Sequence, residues 1–119
     1  SKIYIGGDSG YDNHFKKIRA KSGTLDVALL ETGQYNPAWK YIHMLPGEQL
    51  QAMKDLNAQR MIAVHNSKFK LALHSWYEPM EKLHELNKEN LRVITPKIGE
   101  KVFWQDDNKI YPKWWEEYK

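Results

Sequence analysis

The chain has 119 residues and a mass of 14.1 kDa, which bounds it at one domain with a modest core. Its 18 Lys and Arg against 15 Asp and Glu leave a net charge of +3, with acids and bases interspersed. That argues against nucleic acid as a partner, and the charge reads as a solvated surface. The absence of cysteine excludes a disulfide scaffold and a thiolate zinc site, and fits a reducing, cytoplasmic setting. No window approaches the ~20 apolar residues of a membrane span. The chain opens on Ser1 and enters a strand by Ile3 without an initiator methionine, which reads as a piece of a longer protein.

Ile3-Tyr4-Ile5 forms a short strand that stops on Gly6 and Gly7, just ahead of Asp8. Tyr11, Phe15 and Ile18 share one helix face, and that helix ends at Ser22-Gly23. Leu25 to Leu30 is a nearly unbroken apolar run, as in a strand covered on both faces. A loop from Thr32 to Pro37 follows. Pro46 marks the start of a helix carrying Leu50, Met53 and Leu56. Met61 to Val64 is a third strand, ending on His65, and Pro79 opens a helix with Met80, Leu83 and Leu86. Val93-Ile94-Thr95 and Lys101 to Trp104 read as the last two strands. Residues 1–105 thus form the domain, and 106–119 a C-terminal tail that docks as a helix or an ordered arm.

Strand and helix alternate, so the fold class is α/β. In such sheets reactive groups gather beyond the carboxyl ends of the strands. Three positions satisfy that rule: Asp8, the Thr32-to-Tyr35 loop, and His65. The glycines beside Asp8 let the chain turn sharply and hold the carboxylate at the sheet's rim. An Asp and a His brought together there suit a divalent metal, and one carboxylate can bridge two ions ~3.5–4 Å apart. Two plainer alternatives stay open on residue type alone. Asp8 also suits a helix cap, and His65 a packed, hydrogen-bonded histidine.

Four stretches, "YIGGDSGYDNHF", "LDVALLETGQY", "IHMLPGEQ" and "MIAVHNSKFKLALHSWYEP", resemble in order the C-terminal half of metallo-β-lactamase-fold hydrolases. Within that fold they are similar to the group of N-acyl-phosphatidylethanolamine phospholipase D, RomA-type proteins and ascorbate-phosphate lactonase relatives. The match covers roughly residues 3–104. It implies half of a four-layer αββα sandwich, with one mixed sheet and helices on its outer face. It also implies two divalent metal ions, zinc first among them, with Asp8 as the bridging ligand and His65 as a terminal one. His43, ahead of Pro46-Gly47-Glu48, matches the histidine near the substrate, where it orients substrate or protonates the leaving group. Tyr35 of the Gly-x-Tyr loop corresponds to a cleft residue; His74, beside Ser75-Trp76, either faces the cleft or packs on the surface.

One part of the family pattern is missing. None of the five histidines (14, 43, 65, 74 and 84) stands in a His-x-His pair, so the family's His-x-His-x-Asp-His motif is not in this chain. The resemblance therefore implies an incomplete metal site, inactive alone and acting on a phosphodiester, lactone or related ester only with the N-terminal half of the domain. An uncovered sheet face also implies self-association of this chain or a partner supplying that half. The alternatives are a non-catalytic α/β ligand-binding module and a protein-interaction domain. The tryptophans of "YPKWWEEYK" read as packing in preference to a peripheral membrane anchor, since Glu116-Glu117 disfavours anionic lipid. His14 and His84 lie in helical runs and read as solvent-facing.

Overall fold

The computed structural model describes residues 1–33, 35–67 and 74–119, so Gln34 and the 68–73 stretch of the fourth motif lie outside the described residues. Four strands, β1 (Ile3–Ile5), β2 (Val27–Glu31), β3 (Met61–Val64) and β4 (Val93–Ile94), form one sheet in the order β1-β2-β3-β4. Among the described residues three helices connect them: α1 (His14–Ser22), α2 (Glu48–Leu56) and α3 (Glu78–Leu86). All three strand pairings are parallel, so the sheet is parallel and not mixed as the resemblance implied. The reason is local: a helix separates each strand from the next, and a crossover of that kind returns the chain in the same direction. Every crossover also steps one strand the same way, which stacks the helices on one face under the right-handed rule.

Side-chain alternation matches that arrangement. Ala28 and Leu30 of β2 and Met61 and Ala63 of β3 join Phe15, Leu50, Met53, Leu56, Met80 and Leu83 in one buried cluster. Phe15 is fully buried, a contribution of about 2–3 kcal/mol for a side chain of that size. Tyr11, in the loop ahead of α1, ties that loop to α2 by donating its hydroxyl to the buried Asp55, and that bond pushes the Tyr11 phenol up to about 12. The opposite sheet face has thinner cover. Leu29, Ile62 and Val64 are only partly buried there, and Ile3 and Ile5 of the edge strand are 51% and 75% exposed.

The structure corrects two further expectations, the 101–104 strand and the solvent-facing His14 and His84. Residues 101–104 form no strand; Phe103 is exposed, its N–H bonds the Tyr111 hydroxyl, and the Arg60 guanidinium lies over the Trp104 ring. A short apolar run can be read from sequence as a strand, but here aromatic contacts with basic side chains hold it without a ladder. The tail ends in a 3-10 helix (Trp114–Tyr118) that buries Trp115 completely. His14 and His84 are also partly buried, not solvent-facing. His14 stacks on Phe15 and shares a hydrogen bond with Ser9, while His84 packs against Trp115 with its Nε2 buried and unbonded.

Burial, helped by nearby Lys113 and opposed by Glu116, holds the His84 imidazole below its ordinary pKa. The unfolded chain therefore binds the extra proton first as pH falls below about 6.5, and stability drops in that window until the folded form also protonates. Denaturant unfolding from about pH 7 to about pH 5 should show this loss, and His84→Phe, which keeps the ring packing, should shrink it. An unchanged pH slope in the variant would assign the loss to other groups.

Candidate metal centre

The site is assembled from loops that leave the carboxyl ends of β1, β2 and β3. Asp8 lies three residues beyond β1, Glu31 is the last residue of β2, and His65 follows β3 directly. His43 arrives from the connection between β2 and α2, after a short 3-10 turn (Pro37–Trp39) whose first N–H is capped by Asn36. Asp8 does not cap a helix. The residue preceding α1 is Asn13, five positions further on.

Two glycines bring these loops into contact. A Cβ on Gly10 would lie 2.3 Å from the Lys40 carbonyl oxygen, and one on Gly33 would lie 2.1 Å from the His65 carbonyl oxygen. Both neighbours are backbone atoms, so no side-chain rotation could relieve the overlap. Gly10 thus seats the Asp8 loop against the segment leading to His43, and Gly33 seats the end of β2 against His65. Beside Gly33, the Thr32 N–H bonds the Val64 carbonyl at 2.8 Å and extends the ladder to the rim. Gly7 and His65 both adopt left-handed backbone angles, φ 60° and 62°, and turn the chain at the end of each strand. For His65, which carries a Cβ, that conformation costs about 1–2 kcal/mol.

The result is a compact donor set. Asp8, His43 and His65 each present one ligand atom, and these atoms lie within 4.8 Å of one another. The Asp8 Oδ1 is 3.9 Å from His65 Nε2. The two imidazoles lie nearly parallel, with centroids 5.6 Å apart and planes inclined by 16°. One carboxylate and two imidazoles within this span fit a divalent ion of the zinc, manganese or iron class. Sequence reasoning had separated His43 from the metal ligands; the structure places all three together.

Beneath them is a residue the sequence reading missed. Glu31 is 1% exposed, and its Oε2 lies 3.0 Å from His43 Nδ1 and 3.6 Å from His65 Nδ1. Its Oε1 accepts the Met44 N–H at 2.5 Å. Burial pushes the Glu31 carboxyl up, while the Met44 and His43 contacts pull it back down. The available signal was positional: Glu31 ends an apolar strand, as Asp8 and His65 follow theirs.

Tyr35 and His74 form a second group. Their rings stack at 4.3 Å, the Tyr35 hydroxyl donates to Glu78 at the start of α3, and His74 Nδ1 lies 2.9 Å from the Ser75 carbonyl. Burial first and Glu78 second push the Tyr35 phenol up. Their contacts are thus with each other and with α3. Among the described residues no helix is long and apolar enough to cross a membrane.

The beta-lactamase superfamily domain profile matches residues 1–66, a stretch that contains Asp8, Glu31, His43 and His65. An uncharacterized protein of Mycobacterium tuberculosis is 37% identical over 118 residues, covering 96% of this chain and 32% of that protein. The outer membrane protein RomA of Klebsiella pneumoniae is 52% identical over 64 residues, 54% of this chain and 48% of RomA. The N-acyl-phosphatidylethanolamine-hydrolyzing phospholipase D 1 of Caenorhabditis elegans is 32% identical over 117 residues, 91% of this chain and 32% of that enzyme. The chain therefore spans about a third to a half of the length of these relatives. From the profile match and these relatives together, the chain belongs to the beta-lactamase superfamily, in the metallo-β-lactamase-fold hydrolase group of RomA and the N-acyl-phosphatidylethanolamine phospholipases D.

Proposed function

We propose that this chain is the C-terminal part of a metal-dependent hydrolase that cleaves a phosphodiester, lactone or related ester bond. The observation that carries the proposal is the convergence of Asp8, His43 and His65 at the rim of the sheet. Two divalent ions, zinc in the first instance, would supply Lewis acidity and a water acidified towards neutrality. Asp8, with two carboxylate oxygens and 61% side-chain exposure, is suited to bridge them. His65 would complete one ion's coordination through Nε2, the nitrogen on its Asp8 side. His43 would orient the substrate or return a proton to the leaving group, a task suited to imidazole chemistry. Tyr35 and His74, stacked and tied to α3, would line the cleft.

The donor set is short of what two ions require, so the remaining ligands would come from an N-terminal half of the same domain. In that arrangement this chain contributes one half of a four-layer αββα sandwich. The exposed Ile3 and Ile5 and the half-buried Leu29, Ile62 and Val64 are the face such a half would cover. Expressed alone, the chain is expected to self-associate through that face and to hydrolyse nothing.

One experiment with two arms tests this reading. Joined to the rest of its domain, the chain should hydrolyse a generic phosphodiester or lactone, and chelation should remove the activity. Alone, it should be oligomeric by light scattering at tens of micromolar and inactive. Chelator-resistant hydrolysis, or a monomeric chain that is active alone, would refute the proposal.

A further inference from the structure

We infer that Glu31 is a positioning residue, one buried carboxylate that fixes the orientation and proton placement of His43. The inference deepens the metal-site reading and rests on it for its consequence, though its geometry stands without a metal. Glu31 lies beneath both rings on their Nδ1 side, bonded to His43 at 3.0 Å and 3.6 Å from His65, beyond hydrogen-bond reach. A neutral imidazole carries its proton on one nitrogen only. With the carboxylate accepting from His43 Nδ1, the His43 proton resides there and its Nε2 keeps its lone pair. Nε2 is also the His65 atom nearest Asp8. Glu31 thereby prepares the His43 ring for proton transfer and stands in ion-pair range of His65.

The second carboxylate oxygen explains why Glu31 itself cannot rotate away. Oε1 accepts the Met44 N–H at 2.5 Å, and both Glu31 and Met44 are 1% exposed. Breaking that bond would strand a buried donor, at about 1–3 kcal/mol. The carboxyl plane is therefore fixed from one side, and its Oε2 can only face the imidazoles. This arrangement differs from ordinary packing, because it specifies which ring nitrogen is protonated.

Glu31→Gln separates the two readings. The Met44 N–H can only donate, so the amide oxygen must take the Oε1 place and the amide nitrogen the Oε2 place. A donor then faces His43 Nδ1, which must become the acceptor, and the His43 proton moves to Nε2. Nitrogen-15 NMR of the metal-free, histidine-labelled whole protein at alkaline pH reads this directly. The wild type should show His43 protonated at Nδ1, and Glu31→Gln should show it protonated at Nε2. Turnover of a generic phosphodiester by the zinc-loaded protein should fall about 10–100-fold in the variant, the usual cost of removing a partner behind a site histidine. A wild-type His43 protonated at Nε2 overturns the inference, even if the variant does not fold. So does a folded variant with an unchanged tautomer, or a switched one with undiminished turnover. A tautomer switch in a protein that binds no zinc at all would leave Glu31 its positioning role while refuting the metal-site reading.

Discussion

Alanine at Asp8 or at His65 should each strip the intact protein of bound metal and lower hydrolysis by more than about 100-fold. The reasoning is comparative. Loss of a residue that only hydrogen-bonds a ligand costs about 10–100-fold in metal affinity or activity. Asp8 and His65 present their own donor atoms within the 4.8 Å cluster, so the loss should exceed that range. Folding should hardly suffer, because Asp8 is exposed and His65 is 39% exposed at its side chain. At His65 the alanine retains the left-handed backbone angle and its cost, so stability is unchanged on that account. Metal content by emission spectrometry and turnover on a phosphodiester check the result. Full activity in either variant would remove that residue from the centre.

Gly33→Ala should be nearly as damaging, without touching a donor atom. The added methyl would sit 2.1 Å from the His65 carbonyl oxygen and 3.0 Å from the Asn66 Cα. The backbone must part at the point where β2 and β3 reach the rim, and overpacking of that kind costs about 1–3 kcal/mol. Its effect on function should be larger than its effect on stability. The displacement falls between Glu31, two residues earlier, and His65, and a misplacement of about 1 Å at a site can cost ~10²-fold. Gly99→Ala is the control. Gly99 also has a left-handed φ, 85°, but nothing lies within 4 Å of the Cβ it would gain. That variant should lose about 1–2 kcal/mol of stability from backbone strain and keep its metal affinity. Equal metal affinities in the two variants would show that the close approach at Gly33 is not what shapes the centre.

The sequence disclosed the parts of this fold that depend on local pattern. β1, β3 and α3 lie where the apolar periods and Pro79 put them, because each signal is carried within a few residues. That Asp8 and His65 meet at the rim was legible from the strand-end rule and from motif resemblance together. What escaped depends on contacts distant in the chain. Glu31 closes an apolar run, and nothing in "VALLE" tells that Met44 and His43 return to it from beyond a loop. His84 sits at a position that α3 alone would leave in solvent, and only the docking of Trp115 buries it. The 101–104 segment has a strand's composition but finds its partners in Arg60 and Tyr111. The Gly-Asp-Ser-Gly motif gains a physical reason from the structure: its second glycine, Gly10, is the one that admits the Lys40 backbone.

The central claim is that Asp8 and His65 hold metal in common, and anomalous scattering at the zinc edge from crystals of the zinc-loaded, intact protein tests it most directly. The account predicts a peak about 2.0–2.2 Å from both an Asp8 carboxylate oxygen and a His65 ring nitrogen, the usual zinc distances for such donors. Zinc bound at full occupancy elsewhere, with both side chains free of it, would contradict the account.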